Sequence, residues 1–335
     1  MKPLFLISLS ALCIALFLPL FLVTPTDTTP EPSSSPELPP PADSSAPSVQ
    51  SSSSLKDSEL LLTCQMDGEL REVSMADYLP GVLAAEMPAS FEPEALKAQA
   101  VAARSYILRR AMAPPSAHPE AAVCGDYSCC LAHVTEQSLR ESWGARYAEY
   151  NEKIHRAVSE TDGQFLTYDG IPAQAVFHAS SSGRTEDSGA IWSPLPYLVS
   201  VESPETAENV PHYITTVEVS PSDLRSTLEA VLPDAAWGDD PSGWLGPCQY
   251  DSSGRVESIS IGGENIAGTS LRSLFGLRSV SFTLEYTDGR FLFTVTGSGH
   301  GVGMSQYGAN VMASEGADYA EILAHYYPGT VLSKP

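Results

Sequence analysis

Basic residues are scarce in this 335-residue chain: 18 Lys and Arg stand against 41 Asp and Glu, a formal net charge of −23. So few cations cannot neutralise a run of phosphates, which excludes nucleic acid as a partner, and the acidity reads as a solubility feature. Two stretches are defined by what they lack. Residues 3–23 carry no charge, and such a run is long enough to span a bilayer. No small-x-small cleavage site follows Val23, so 1–23 is expected to be an uncleaved transmembrane anchor with its Lys2 end cytoplasmic and the rest exported. Leu12 is too large to precede a lipoprotein cysteine, which leaves Cys13 as a membrane residue. Residues 24–56 are Thr, Pro, Ser and a few acids, with hardly an apolar side chain, and read as a semi-extended linker that cannot bury a core. The glycine run Gly297 to Gly303 lacks both G-x-G-x-x-G and G-K-[ST] and is not a nucleotide loop.

What remains has ample apolar material, 43% of the chain, for a core. A strand over 60–64 is followed by a helix expected to have its N-cap near Asp77, with Pro80 in the first turn and Pro88 stopping it. Leu79, Val82, Leu83 and Glu86 fall at i, i+3, i+4 and i+7, which puts a carboxylate on the apolar stripe. Burial without a cation keeps such a Glu protonated, as a general acid requires; a cap from the next helix or a pair with Arg104 would explain it equally well. A second helix opens at Glu92-Pro93 with the stripe Leu96, Ala100, Ala103, Ile107 and interleaved polar Lys97, Gln99 and Arg104, whose plain reading is a solvated face.

His118, Cys124, Cys129 and Cys130 lie within 13 residues, a candidate four-ligand zinc set with His133 in reserve. A disulfide in an oxidised compartment is the competing reading, and Cys64 and Cys248 could pair separately. Further on, a helix is expected over 138–160. Asp169-Gly170 then carries a type I′ hairpin signal between strands 164–168 and 173–178. The loop Ser180 to Thr185 holds Ser182 and Arg184, and Trp192 and Tyr197 follow it. Residues 212–296 read as an inserted smaller α+β module without a cluster of reactive groups. Ser305 can cap a helix after the glycine run, where His300, Gln306 and Tyr307 are the polar residues.

The stretch 76–110, the block Gly299-His300-Gly301-Val302-Gly303-Met304-Ser305-Gln306-Tyr307-Gly308-Ala309 and the ending Glu321 to Thr330 together resemble the stage II sporulation protein D family, over about residues 60–330. The resemblance implies an α+β protein: a mixed helical and antiparallel-strand catalytic core over 57–335 carrying the 212–296 module. It further implies a peptidoglycan lytic transglycosylase in the engulfing membrane of a sporulating cell, acting on glycan already stripped of peptide. Glu86 matches the family's catalytic acid. Arg104, Ser182, Arg184, His300, Gln306 and Tyr307 are the residues expected to bind glycan. Some members carry zinc where His118, Cys124, Cys129 and Cys130 stand, which favours a structural zinc here. A cell-wall amidase and other membrane sporulation proteins are the expected partners. Relatives that are amidase enhancers make a glycan-binding protein without catalysis the main rival. A zinc hydrolase is a third reading, disfavoured because three sulfur ligands suit a closed structural site.

Overall fold

Alanine sets the middle of the structure. In the computed structural model, which describes residues 55–66, 68–126 and 129–333, helix α2 (Pro93–Met112) buries Ala95, Ala98, Ala100, Ala102 and Ala103 together with Leu96, Val101 and Ile107. A helix apolar nearly all round belongs inside a core. Small side chains let helix α1 (Met75–Glu86) and the helices Tyr147–Glu160, Gln306–Ser314 and Tyr319–Tyr326 all pack directly against it. The polar positions of α2 are absorbed too: Gln99 and Arg104 are fully buried and Lys97 is half-buried between Glu94 and Glu160. The solvated face expected there is therefore an inner one.

Helix α1 begins one turn earlier than Pro80 suggested. Ser74 is its N-cap, its hydroxyl accepting from the Asp77 N–H at 3.2 Å and donating to the Asp77 carboxylate at 2.6 Å. This reciprocal cap fixes the start, so the buried Pro80 falls inside the helix rather than in its first turn. Antiparallel strands Leu61–Met66 and Glu69–Ser74 precede it, and the short strand Val123–Cys124 adds to Leu61–Met66 in parallel.

The helix expected over 138–160 is broken at Gly144, whose φ of +52° ends Glu136–Trp143 before Tyr147–Glu160 starts. Asp169 and Gly170 both have positive φ, as a type I′ turn needs, but the hairpin is short: Leu166–Tyr168 with Ile171–Pro172. Phe177–His178 instead pairs in parallel with Met304–Ser305, which draws the glycine run alongside the loop after residue 178. Bridges Ser180–Ser298 and Glu186–Val302 complete that seam.

A second hydrophobic cluster, around Leu224, Ile261, Leu271, Phe291, Phe293 and Val295, is enclosed by two three-stranded antiparallel sheets and the helices Pro221–Leu228 and Gly268–Phe275. Its strand Glu264–Ala267 has no counterpart in the sequence reading. The fold is thus mixed α+β with antiparallel sheets. Cys64 is buried in the first cluster and Cys248 packs against the second; both are free thiols, which corrects the pairing suggested for them. The expected anchor over 1–23 and nearly all of the linker over 24–56 lie outside the described residues. Among the described residues no helix is long and apolar enough to cross a membrane.

Candidate active site

Glu86 is the last residue of α1, where the chain turns extended at Met87. The partial negative charge of a helix C-terminus and half-burial both oppose an ionised carboxyl there. Burial pushes the Glu86 carboxyl above the ordinary carboxylate range, while the Ala132 N–H, donating to its Oε1 at 2.8 Å, partly offsets this. The side chain lines a cleft of about 720 Å³ shared with Tyr106, Arg110, Cys129, Trp192 and His300. Among the described residues lining it, Glu86 is the only carboxylate and Arg110 the only permanent cation.

His300 reaches this cleft because the glycine run lets the backbone double back. Gly301, at φ +86°, lies so close to the Arg255 guanidinium that a Cβ would sit 1.8 Å from it. Arg255 donates to the His300 carbonyl at 3.2 Å, and the Val302 N–H donates to His300 Nδ1 at 3.1 Å, which leaves the ring proton on Nε2. Burial pushes His300 down to about 4, so its ring is neutral at ordinary pH. Its ring packs against Trp192 at 5.0 Å between centroids and His178 at 5.7 Å. Trp192 is exposed, an apolar plate at the cleft's mouth.

The cysteine cluster forms one wall. The ligand atoms of His118, Cys124, Cys129 and Cys130 all lie within 4.8 Å of one another, with His118 Nε2 at 3.3 Å from both Cys129 Sγ and Cys130 Sγ. Tetrahedral coordination at zinc bond lengths places ligand atoms about 3.5–3.8 Å apart, so the set fits a metal ion. His118 Nδ1 donates to the Ala121 carbonyl at 3.0 Å, which turns the Nε2 lone pair toward the sulfurs. Burial pushes the Cys130 thiol up to about 12, and a coordinating cation is what would hold it as thiolate. His133 stands apart, stacked on Tyr78 at 4.8 Å, and is not a fifth ligand.

Five of the six residues expected to bind glycan do not line this cleft. Arg104 is the clearest correction: its guanidinium is fully buried, donating from Nε and Nη2 to the Asp57 carboxylate at 2.7 and 2.6 Å and from Nη1 to the Gln164 carbonyl at 2.7 Å. It is a structural clamp, since a planar fork with every arm occupied has nothing left for substrate. It does not pair with Glu86 either. Ser182 hydrogen-bonds Ser281 at 2.8 Å, and Arg184 lies 3.6 Å from Glu202 in a separate shallow pocket. Gln306 is buried at the start of a helix that Ser305 caps, and Tyr307 packs edge-on against Phe91.

The sequence reading missed Arg110 and the buried polar framework beneath the glycine run. Glu205 accepts from the Ser181 N–H and the Ser305 hydroxyl, both at 2.5 Å, and from the Ser203 hydroxyl. Glu186 accepts from Ser253 at 2.6 Å and lies 3.5 Å from Arg255. Apart from Ser203 and Glu205, these partners are separated by tens of residues in sequence, so no local pattern betrays them.

A family model described as "Stage II sporulation protein" matches residues 66–168. The chain is 37% identical to "Stage II sporulation protein D" of Bacillus amyloliquefaciens, over 79% of this chain and 76% of that protein. It is 34% identical to "Stage II sporulation protein D" of Bacillus subtilis (strain 168), over 98% and 96%. It is 27% identical to "Amidase enhancer" of the same strain, over 76% of this chain but 40% of that longer protein.

Proposed function

The chain belongs to the stage II sporulation protein D family, and from that premise we propose that it is a peptidoglycan lytic transglycosylase. Its target would be the β-1,4 bond between N-acetylmuramic acid and N-acetylglucosamine, in strands stripped of peptide during engulfment. Neutral Glu86 donates its proton to the glycosidic oxygen as the bond to the muramoyl C1 breaks. The carboxylate so formed takes the proton of the muramoyl C6 hydroxyl, whose oxygen attacks C1. The product is a 1,6-anhydro sugar, and Glu86 is protonated again. The observation that carries this reading is a half-buried carboxyl with a raised pKa, the only carboxylate among the described residues lining its cleft. A hydrolase would need a second carboxylate for water or for a covalent intermediate, whereas here the substrate supplies the nucleophile. Trp192 offers a face for a sugar ring, with the neutral His300 ring packed beside it.

The cysteine set would hold zinc in a structural role, through His118, Cys124, Cys129 and Cys130. With three sulfur ligands and one nitrogen it is closed to substrate. Its consequence for the site lies two residues past Cys130, where the Ala132 N–H orients Glu86. We place the folded region outside the cytoplasm, tethered by the apolar segment 1–23, with residues 212–296 as an inserted module and a cell-wall amidase as a working partner.

The second reading is an amidase enhancer that binds glycan without cutting it, favoured by the similarity to a protein of that name. Substitution of Glu86 by Gln separates the two. It keeps the shape and the acceptor for Ala132 but cannot give a proton, so cleavage of naked glycan, present in the unaltered chain without any amidase, should vanish. An unaltered chain that only accelerates an added amidase would establish the enhancer instead.

A further inference from the structure

Arg110 and Arg272 are both half-buried arginines without an ion pair among the described residues, and of the two only Arg110 lines the Glu86 cleft. Acids outnumber bases by more than two to one in this chain. Three of the buried cations answer to that excess: Arg104 is paired with Asp57, Arg255 with Glu186, and Lys97 with Glu94 and Glu160. Arg110 enters no ion pair among the described residues, although it is half-buried and lines the Glu86 cleft. Its Nη2 donates to the Cys129 carbonyl at 2.9 Å, which holds the group in place without neutralising it. Its buried Nε has no hydrogen-bond partner among the described residues, and its guanidinium lies 5.6 Å from the centre of the Tyr106 ring, another wall of the cleft. A buried donor without an acceptor is costly, and guanidinium is best satisfied by a carboxylate.

Building on the transglycosylase reading, we infer that Arg110 is a specificity-determining residue that pairs with a carboxylate on the glycan, the free lactyl group of a muramic acid whose peptide has been removed. The glycan backbone offers few choices. Its hydroxyls and acetamido groups are neutral, and the lactyl ether on muramoyl C3 carries its only acid. With a peptide attached that acid is an amide, neutral and bulky; once the peptide is gone it is a carboxylate. As the only permanent cation among the described residues lining the cleft, Arg110 discriminates between the two forms by charge. Lys at this position would keep the charge and lose the planar fork.

The test uses the purified full chain and two preparations of peptide-free glycan strands, one with free lactyl carboxylates and one with those groups converted to N-methylamides. Cleavage is followed for the unaltered chain, Arg110→Met and Arg110→Lys, and binding to both strands is measured with Glu86→Gln and with Glu86→Gln carrying Arg110→Met. The unaltered chain should prefer the acid strands by roughly 10- to 100-fold in kcat/KM. Arg110→Met should bring that ratio toward one, and Arg110→Lys should retain part of it. Equal use of both strands by the unaltered chain would overturn the inference. So would a loss in Arg110→Met that is the same on both strands, since Arg110 would then only brace the cysteine loop. Should neither strand be cut, the transglycosylase reading falls. The binding ratio then decides on Arg110 alone: tighter binding of acid strands that disappears with Arg110→Met supports it, and equal binding refutes it.

Discussion

Glu86 is costly to the fold in its charged form and useful in its neutral one. Because its pKa is raised by burial, the folded state holds the proton to higher pH than the unfolded chain does. Stability attributable to this group therefore falls as pH rises from the unfolded value through the raised one, and the whole penalty is present above it. Glu86→Gln removes that penalty, so its melting temperature at neutral pH should be no lower than that of the unaltered chain, while cleavage is lost. Activity should decline as pH rises through the same raised pKa, since only the protonated carboxyl is an acid. His300, depressed to about 4, should leave no break in the profile near neutrality; its neutral burial instead contributes stability that is full above the unfolded value of about 6.5 and lost as pH falls toward 4. A pH–rate profile with a matching pH–stability series checks all three. The carboxylate on an apolar stripe was visible in the sequence because α1 is amphipathic with an odd residue on its buried face.

At the scale of elements, two fastenings hold α1 and α2 in register with the cleft. One is the Arg104–Asp57 pair, 0% and 3% exposed, which ties the chain before the first strand to α2. Asp57→Asn leaves the guanidinium buried without its counter-charge and should cost about 3–5 kcal/mol in denaturant unfolding. Because the pair lies away from the cleft, the refolded variant should keep its KM for glycan. Nothing in the sequence pointed from Arg104 to Asp57: the partner precedes the first strand and meets α2 only through tertiary packing. A polar residue on a helix embedded on all sides looks, residue by residue, like one on a wet face. The other fastening is the cysteine cluster. Chelation, or Cys124→Ser, should lower the melting temperature and, by loosening the loop through Ala132, slow cleavage as well. Thermal melts with and without chelator, beside metal analysis of the purified chain, test this; an unchanged melt and a metal-free chain would remove zinc from the picture. The ligand set was legible because His118, Cys124, Cys129 and Cys130 are close in sequence. Arg110, which meets the Cys129 carbonyl and shares the cleft with residues from near the other end of the chain, was not.

At the scale of the whole molecule, the cleft is a meeting of distant segments. α1 supplies Glu86, the cysteine loop supplies a wall, and the strand Phe177–His178 recruits the glycine run that carries His300. Arg255, at the threshold of a strand in the second hydrophobic cluster, reaches in to hold that run against Glu186. Alternating strands and turn dipeptides such as Asp288-Gly289 announced most of those sheets locally, but the reach of one arginine across to the site had no sequence signature. The placement of His300 and the withdrawal of Ser182, Arg184, Gln306 and Tyr307 follow from the same cause: they share short polar stretches, and only the path of the glycine backbone decides which side chain faces the cleft. Among the described residues these segments converge on one carboxyl group with no second acid lining the cleft, the arrangement that the proposed intramolecular transglycosylation requires. The most direct measurement is mass spectrometry of peptide-free glycan digested in water enriched in heavy oxygen, with no amidase present. The products should end in 1,6-anhydro sugars, one water lighter than a hydrolysed end and free of label. Label at a new reducing end, or strands left whole, would show that Glu86 is not the acid of an intramolecular transglycosylation.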